Sequence, residues 1–256
     1  MSPFEVVPLR AFADNYIWTL RDARCAAAVD PGDARPVLDY LRAEKLELVA
    51  IINTHHHADH VGGNAELLRH YRVPVYGPHD ERIREVTHRL ADGGRMTLPH
   101  FGIEFEVMEI PGHTRTHIAF HGAGMLFCGD TLFAVGCGRL FEGTPRQMFD
   151  SLSRLMLLPD DTKVYCGHEY TLSNIRFAKA ADPDNAALRE LEARAKKLRD
   201  QDLPTLPSHI GQEKATNPFV RCREPSVIAA ASRYAGKALN DPVSVLAAIR
   251  EWKNSF

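Results

Sequence analysis

Four histidines and an aspartate crowd into six residues of this chain: His55, His56, His57, Asp59 and His60. Imidazole and carboxylate are borderline-to-hard donors, a set that suits zinc, iron(II) or manganese. Packing them into one short turn without a cation leaves costly unsatisfied or mutually repelling polar atoms. Metal binding is therefore the reading that fits the cluster. The segment runs I-I-N-T-H-H-H-A-D-H-V-G-G, an apolar strand-like stretch that leads into the ladder and leaves through two glycines. In an extended backbone alternate side chains share a side, so His55, His57 and Asp59 are expected to converge while His56 faces elsewhere as a structural neighbour. Gly62 and Gly63 suit a sharp exit into a helix.

Three more ligand-type residues each follow a glycine at or just past the end of an apolar run. They are His113 in Pro111-Gly112-His113, Asp130 in Cys128-Gly129-Asp130 and His168 in Cys166-Gly167-His168. Glycine there allows the chain to turn tightly and present the next side chain. Together with the ladder they are more donors than one ion needs. Isolated histidines such as His70 and His209 are read as surface or internally satisfied groups.

The elements that must hold these residues can be read from the apolar pattern. Strands are expected at Phe4–Pro8, Tyr16–Arg21, Ala26–Asp30, Leu48–Asn53, Phe105–Ile110, Ile118–His121, Met125–Cys128 and Lys163–Cys166, most ending at Gly, Pro, Asp or Asn. Helices are expected at Ala34–Glu44, at Asn64–Tyr71 and from Thr144-Pro145 to about Leu157. Strands with helices interspersed imply layered sheets covered by helices. After about Tyr170 the pattern turns helical. Leu188, Leu191, Ala195 and Leu198 form a stripe within Asn185–Gln201, and Pro225–Ala235 and Pro242–Lys253 each open with a proline. Asp241 can cap the last helix, with Val245, Ile249, Trp252 and Phe256 as its buried stripe. The expected division is an α/β domain over 1–172 and a smaller helical domain over 173–256.

Composition removes competing classes. Hydrophobic residues make up 45% and charged residues 25% of the 256, ordinary globular values that exclude wholesale disorder and fibrous classes. A net charge of −2 gives no global attraction to nucleic acid or an anionic membrane. The five cysteines lack CxxC spacing, which points to reduced thiols in a cytosol-like compartment and away from a thiolate zinc site. No apolar run approaches the ~20 residues of a membrane span. The opening MSPFEVVPLRAFADNY lacks the layout of a signal peptide, so a cytoplasmic location is expected.

Thr54–His60, read as T-H-x-H-x-D-H, resembles the signature of the metallo-β-lactamase superfamily in its two-metal hydrolase form. PGHT at Pro111–Thr114, CGD at Cys128–Asp130 and GHEY at Gly167–Tyr170 come in that superfamily's order. The resemblance implies an αββα sandwich with the metal site at one edge. It also implies that His55, His57 and His113 hold a first metal, that Asp59, His60 and His168 hold a second, and that Asp130 bridges them. His57 stands where the oxygen-reducing di-iron branch carries Glu. DNYIW (Asp14–Trp18), DPGD (Asp30–Asp33), GCGRLFEGT (Gly136–Thr144), YCGHEYT (Tyr165–Thr171) and the helical tail narrow the resemblance to glyoxalase II, the hydroxyacylglutathione hydrolases, nearly end to end.

That resemblance implies a thioesterase that cleaves S-2-hydroxyacylglutathione, chiefly S-D-lactoylglutathione, to glutathione and D-lactate, the second step of methylglyoxal detoxification. The implied nucleophile is a metal-bridging hydroxide, with Asp59 and Asp130 as its catalytic carboxylates. Two divalent ions per chain are implied, zinc first, with iron and manganese also fitting. Arg250 and Lys253 would bind the glycine carboxylate of glutathione, and Tyr170, Arg139, Phe141 and His168 would complete the substrate contacts. Phe141 replaces a Tyr found in some members and Arg139 replaces a Lys, changes that bear on affinity. A thiolate leaves without strong protonation, which fits the lack of an evident general acid. The expected partner is a small glutathione thioester bound to a monomer. The rival readings are a glutathione persulfide dioxygenase with one iron and another hydrolase of the superfamily, a lactonase or RNA-processing nuclease.

Overall fold

The computed structural model describes residues 4–256. These form two compact units: one comprises the described chain through Glu109 plus Thr116–Gly129, the other Ile110–Arg115 plus Asp130–Phe256.

The first unit is built from β1 (Glu5–Ala11), β2 (Asn15–Arg21), β3 (Cys25–Val29), α1 (Ala34–Glu44), β4 (Glu47–Ile52), α2 (Ala58–Val61), α3 (Asn64–His70), β5 (Val75–Pro78), β6 (His88–Leu90), β7 (Arg95–Leu98), β8 (Ile103–Glu109), β9 (Ile118–Gly122) and β10 (Met125–Gly129). Strands β1 to β6 form one sheet in chain order. Its first two pairings are antiparallel and the next three parallel. Strands β7 to β10 form an antiparallel meander. Ala26, Ala27 and Ala28 in β3 are all fully buried, as expected of a strand covered on both faces. Helix α1 turns Val37 and Leu41 into a core shared with Ile17, Ile51, Leu67 and Val75. It starts where Asp33 accepts the Arg35 N–H at 2.9 Å and stops at Lys45, which takes φ 57.

The second unit holds β11 (Leu132–Phe133), β12 (Gly136–Cys137), α4 (Pro145–Leu155), β13 (Lys163–Cys166), α5 (Thr171–Ala181), α6 (Ala186–Asp200), β14 (Ser208–His209), α7 (Ile210–Thr216), α8 (Pro225–Ala235) and α9 (Pro242–Asn254). Thr144 and Gln147 form a reciprocal capping box at the start of α4, with Pro145 in the first turn. Asp241 caps α9 by accepting from the N–H groups of Val243 and Ser244. Asp182, buried between helices, accepts from Arg221 at 2.9 Å, Ser226 at 2.5 Å and Asn185 at 2.9 Å. Such a carboxylate is tolerated because each oxygen has donors. Phe256 departs from the expected stripe: α9 ends at Asn254, and the Phe256 ring is 62% exposed while touching Phe177. Among the described residues no helix is long and apolar enough to cross a membrane.

Candidate metal centre

In the first unit the ladder lies just beyond β4. The strand ends at Ile52, and the expected extended register does not persist through the ladder. His57 is the last extended residue (φ −61, ψ 144), and Asp59 and His60 stand on the single turn of α2. Asp59 is thus presented by a helical turn, where a carboxylate in the first turn is favoured by the helix dipole. Asn53 ties this turn down by donating from Nδ2 to the His60 carbonyl at 3.2 Å, and Asn64 donates to Asn53 Oδ1 at 2.8 Å.

In the ladder, hydrogen bonds fix which nitrogen of His55 and of His60 is available. Thr54 donates its hydroxyl to Asp30 Oδ2 at 2.6 Å and its N–H to Oδ1 at 2.8 Å. Its hydroxyl proton is thereby committed, so at 3.1 Å from His55 Nδ1 it can only accept. His55 therefore carries its proton on Nδ1 and offers the lone pair of Nε2. His60 Nδ1 lies 3.0 Å from Asp30 Oδ2, an acceptor, so its lone pair is also on Nε2, 3.6 Å from Asp59 Oδ2. His55 Nε2 and His57 Nδ1 approach to 3.1 Å. Asp59 Oδ2 is steadied by Asn15 Nδ2 at 3.0 Å. Asp30, His55 and His60 bring one ligand-type atom each within 4.8 Å of one another. Asp30 is already occupied by its donors, so it orients imidazoles, as carboxylates behind metal-binding histidines do. His56 turns away from the ladder, its Nδ1 3.5 Å from Asp80 Oδ2. Burial opposes the charge on Asp80, but the Arg82 guanidinium and the Thr116 hydroxyl hold its carboxyl well below the usual range.

Gly129 closes β10 at φ +46, and a Cβ there would lie 2.3 Å from Thr54 Oγ1 and 2.9 Å from the His117 ring. His117 in turn stacks on His55 at 4.6 Å. Gly129→Ala is expected to cost at least ~1–3 kcal/mol from backbone strain alone. It should also displace the threonine that sets the His55 tautomer. Chemical denaturation would show the lowered midpoint, and elemental analysis the lowered metal content.

The second unit presents His113, Asp130 and His168. His113 Nδ1 donates to the Arg139 carbonyl at 2.9 Å, leaving the lone pair on Nε2, 3.6 Å from Asp130 Oδ2. His168 Nε2 lies 3.3 Å from the same oxygen. Gly112 before His113 takes φ 156, as a glycine-specific turn requires, whereas Gly167 before His168 does not take a positive φ. Tyr170 stacks on the His168 ring at 4.7 Å, and Phe141 meets His113 edge-on at 5.3 Å with 63% of its surface exposed.

These donors fit divalent cations. In both units imidazole lone pairs face carboxylate oxygens, an acceptor-to-acceptor arrangement that a cation between them turns from repulsive to favourable. The orienting acceptors behind the rings, Asp30 and the Arg139 carbonyl, are of the kind that select the metal-binding tautomer. Asp30 and Asn15 lie within DPGD and DNYIW, yet the sequence alone assigns them no role. An acid closing an apolar run was the available signal for Asp30.

Three of the proposed substrate residues, Arg139, Phe141 and Arg250, line an open groove of about 370 Å³ together with Glu251 and Asn254, whereas His168, Tyr170 and Lys253 are not part of its lining. Arg250 and Lys253 share a side of α9, as expected of residues three apart. Arg250 is 5% exposed and donates to the Cys137 carbonyl at 2.6 Å, with its guanidinium over the Phe219 ring. Lys253 donates to Asn174 Oδ1 and lies over Phe177 and Phe219. Burial, reinforced by the Arg250 charge, pulls the Lys253 ammonium down to about 7. The hydrogen bonds of both cations thus go to neutral acceptors, and neither forms an ion pair among the described residues, although Glu251 lines the same groove as Arg250.

Comparison with known proteins agrees with this chemistry. Residues 17–168 match the metallo-beta-lactamase superfamily, and residues 169–256 match the hydroxyacylglutathione hydrolase C-terminus. A Nitrosomonas europaea protein named hydroxyacylglutathione hydrolase is 57% identical over 98% of this chain and 96% of its own length. An Aeromonas salmonicida protein of the same name is 52% identical over 99% of this chain and all of its own. Among solved structures, the BLEG-1 B3 metallo-beta-lactamase superposes with a TM-score of 0.64 at 24% identity, covering 85% of this chain and 99% of that one. The fold is thus the expected mixed α/β metallo-β-lactamase fold followed by a helical C-terminal region.

Proposed function

The chain belongs to the hydroxyacylglutathione hydrolases of the metallo-β-lactamase superfamily, and from that membership we propose that it hydrolyses S-2-hydroxyacylglutathione, S-D-lactoylglutathione foremost, to glutathione and D-lactate. The observation that carries the substrate assignment is the pair Arg250 and Lys253. A buried guanidinium and a half-buried ammonium, neither of them ion-paired, call for an anion, and glutathione brings carboxylates to a thioester.

In this reading His55, His57 and His113 would hold one divalent ion, Asp59, His60 and His168 would hold a second, and Asp130 would serve both. Bound ions would ionise water near neutral pH and polarise the thioester carbonyl. The chain's own residues do the rest. Asp30 and the Arg139 carbonyl keep imidazole lone pairs directed inward. Asp59 and Asp130 would offset the charge of bound dications and would accept a hydrogen bond from the attacking water. Arg250 and Lys253 fix the glycine carboxylate, while Tyr170, Arg139, Phe141 and His168 line the path to the reacting carbon. Phe141 lacks a hydroxyl, so its contribution is apolar contact. A glutathione thiolate leaves unaided near neutral pH.

Zinc is the proposed metal, the cytoplasm the proposed compartment and a monomer the proposed state, with residues 1–172 supplying the metals' ligands and 173–256 the carboxylate-binding cations. Membership of this family, together with histidine at 57, favours hydrolysis over the oxygen-dependent alternative. Metal removal tests the reading: protein stripped by a chelator should be inactive and should regain activity linearly until two equivalents of zinc are added. Full activity without metal would refute it.

Lys253 adds a pH signature. Its ammonium form, which binds carboxylate, dominates below about pH 7 and is lost above it. KM should therefore be flat below that value and rise by up to about tenfold per unit above it, the limit for one titrating group. Lys253→Arg, charged throughout, should flatten the profile, and steady-state assays from pH 6 to 9 would show it.

A further inference from the structure

Outside the ligand and substrate positions, a set of buried polar groups surrounds the hairpin β11–β12. Its two-residue turn, Ala134-Val135, closes Phe133 against Gly136. Val135 sits at φ 59, a region costly for a β-branched residue. Part of the compensation is apolar, because its side chain is fully buried with Ile175, Ala178, Leu188 and Leu191. The rest is polar. Glu213 of α7, fully buried, accepts the Val135 N–H at 2.8 Å. Asn217 Nδ2 donates to the Gly136 carbonyl at 2.9 Å, to the Phe133 carbonyl at 3.3 Å and to Glu213 at 3.0 Å. Asn174 donates to the Ala134 carbonyl at 2.8 Å.

The proposed reaction uses neither Glu213 nor Asn217, yet a buried carboxylate is expensive to keep. Where the hairpin leads explains its presence. The hairpin begins two residues after Asp130, and the strand leaving it returns against the same residue. Gly138 donates to the Thr131 carbonyl at 3.2 Å, and a Cβ on Gly138 would lie only 2.0 Å from the Asp130 carbonyl oxygen. The next residue, Arg139, supplies the carbonyl that orients His113. The Phe133 ring meets the His168 ring edge-on at 5.8 Å. There is little slack between the hairpin and these three residues, and close-packed interiors transmit displacement.

We infer that Glu213 is a positioning residue: by holding the Val135 N–H it locks the hairpin in its strained turn, and the hairpin in turn sets Asp130 and the Arg139 carbonyl. The inference rests on reading Asp130, His113 and His168 as metal ligands, and not on the identity of the substrate. Removing the clamp lets the turn relax, and the ligand geometry loosens with it.

The test is zinc affinity of the full-length protein, measured by competition with a chromophoric chelator. Outer residues behind metal ligands typically shift affinity 10- to 100-fold, so Glu213→Ala should weaken binding by about tenfold or more. Glu213→Gln keeps a carbonyl acceptor for the Val135 N–H and should stay within roughly threefold of the wild type, on the same scale. Asn217→Ala removes two further hairpin bonds and should act in the same direction as Glu213→Ala, deciding the matter should the latter not fold. Val227→Ala, a buried truncation in α8, controls for lost stability and should leave affinity unchanged. Folded Glu213→Ala with wild-type affinity, or equal losses in Glu213→Ala and Val227→Ala, would overturn the inference. Wild-type protein that binds two zinc ions but spares the thioester would sink the substrate assignment alone. Wild-type protein that binds no zinc would sink the ligand reading and this inference with it.

Discussion

Asp130→Asn should reduce kcat/KM by about 10³-fold, the upper end for loss of one preorganised electrostatic group. The reasoning begins with one oxygen. Asp130 Oδ2 lies 3.3 Å from His168 Nε2 and 3.6 Å from His113 Nε2, and His113 is held with its lone pair on that nitrogen. A carboxylate between imidazole lone pairs favours a cation. An amide of the same shape can turn its NH₂ toward them and satisfy the rings without one. The substitution thus removes a negative charge and supplies a competing hydrogen-bond donor while leaving the packing intact. Stability should change little and metal content should fall, which elemental analysis beside steady-state kinetics would reveal. Wild-type turnover with two metals bound would refute the role given to Asp130.

The second large effect is expected at Arg250. Arg250→Ala should raise KM by about 10- to 100-fold, since a hydrogen bond to a charged group contributes ~1.5–3 kcal/mol and tenfold is 1.4 kcal/mol. kcat should move little, because a carboxylate far from the reacting carbon is held equally in ground and transition states. The buried setting sharpens this expectation. Arg250 is 5% exposed and anchored to the Cys137 carbonyl, so its geometry exists before substrate arrives and little entropy is lost on binding. Arg250→Lys keeps charge without the planar fork and should fall between wild type and alanine. An unchanged KM in Arg250→Ala would remove this residue from the substrate site.

Where the sequence was informative, the reason was local and redundant. Helix α1 spans Ala34–Glu44 as expected because the capping Asp33, the apolar spacing of Val37 and Leu41, and the helix end at Lys45 all agree. Strand β13 at Lys163–Cys166 and helix α8 at Pro225–Ala235 also fall on their expected residues, the first bounded by Gly167 and the second opened by Pro225. Strands β5, β6 and β7 were not legible. They are three or four residues long and carry outward residues such as Arg89 and Arg95, so pairing with neighbours, not their own pattern, makes them strands. Helix α5 escaped because it buries Thr171 and Asn174 as well as Ile175 and Phe177, which blurs the apolar stripe.

The metal ladder shows the same division. Its residue types announced the chemistry, but the register that brings Asp59 round came from a helical turn tied by the Asn53 side chain. That tie is a tertiary contact with no periodic trace. Likewise, Asp30 stands 24 residues before Thr54 and 30 before His60, and only the folded chain shows it to be their shared acceptor. Arg250 and Lys253 read in isolation as a solvated helix face; burial against Phe219 is what makes them a candidate anion site.

The most direct test of the central claim is the steady-state kcat/KM of zinc-loaded protein on S-D-lactoylglutathione, monitored by loss of the thioester absorbance. The expected value is at least ~10⁴ M⁻¹s⁻¹, the low end for a dedicated enzyme, with D-lactate and free glutathione formed in equal amounts. Protein holding two zinc ions that leaves this thioester intact would contradict the account.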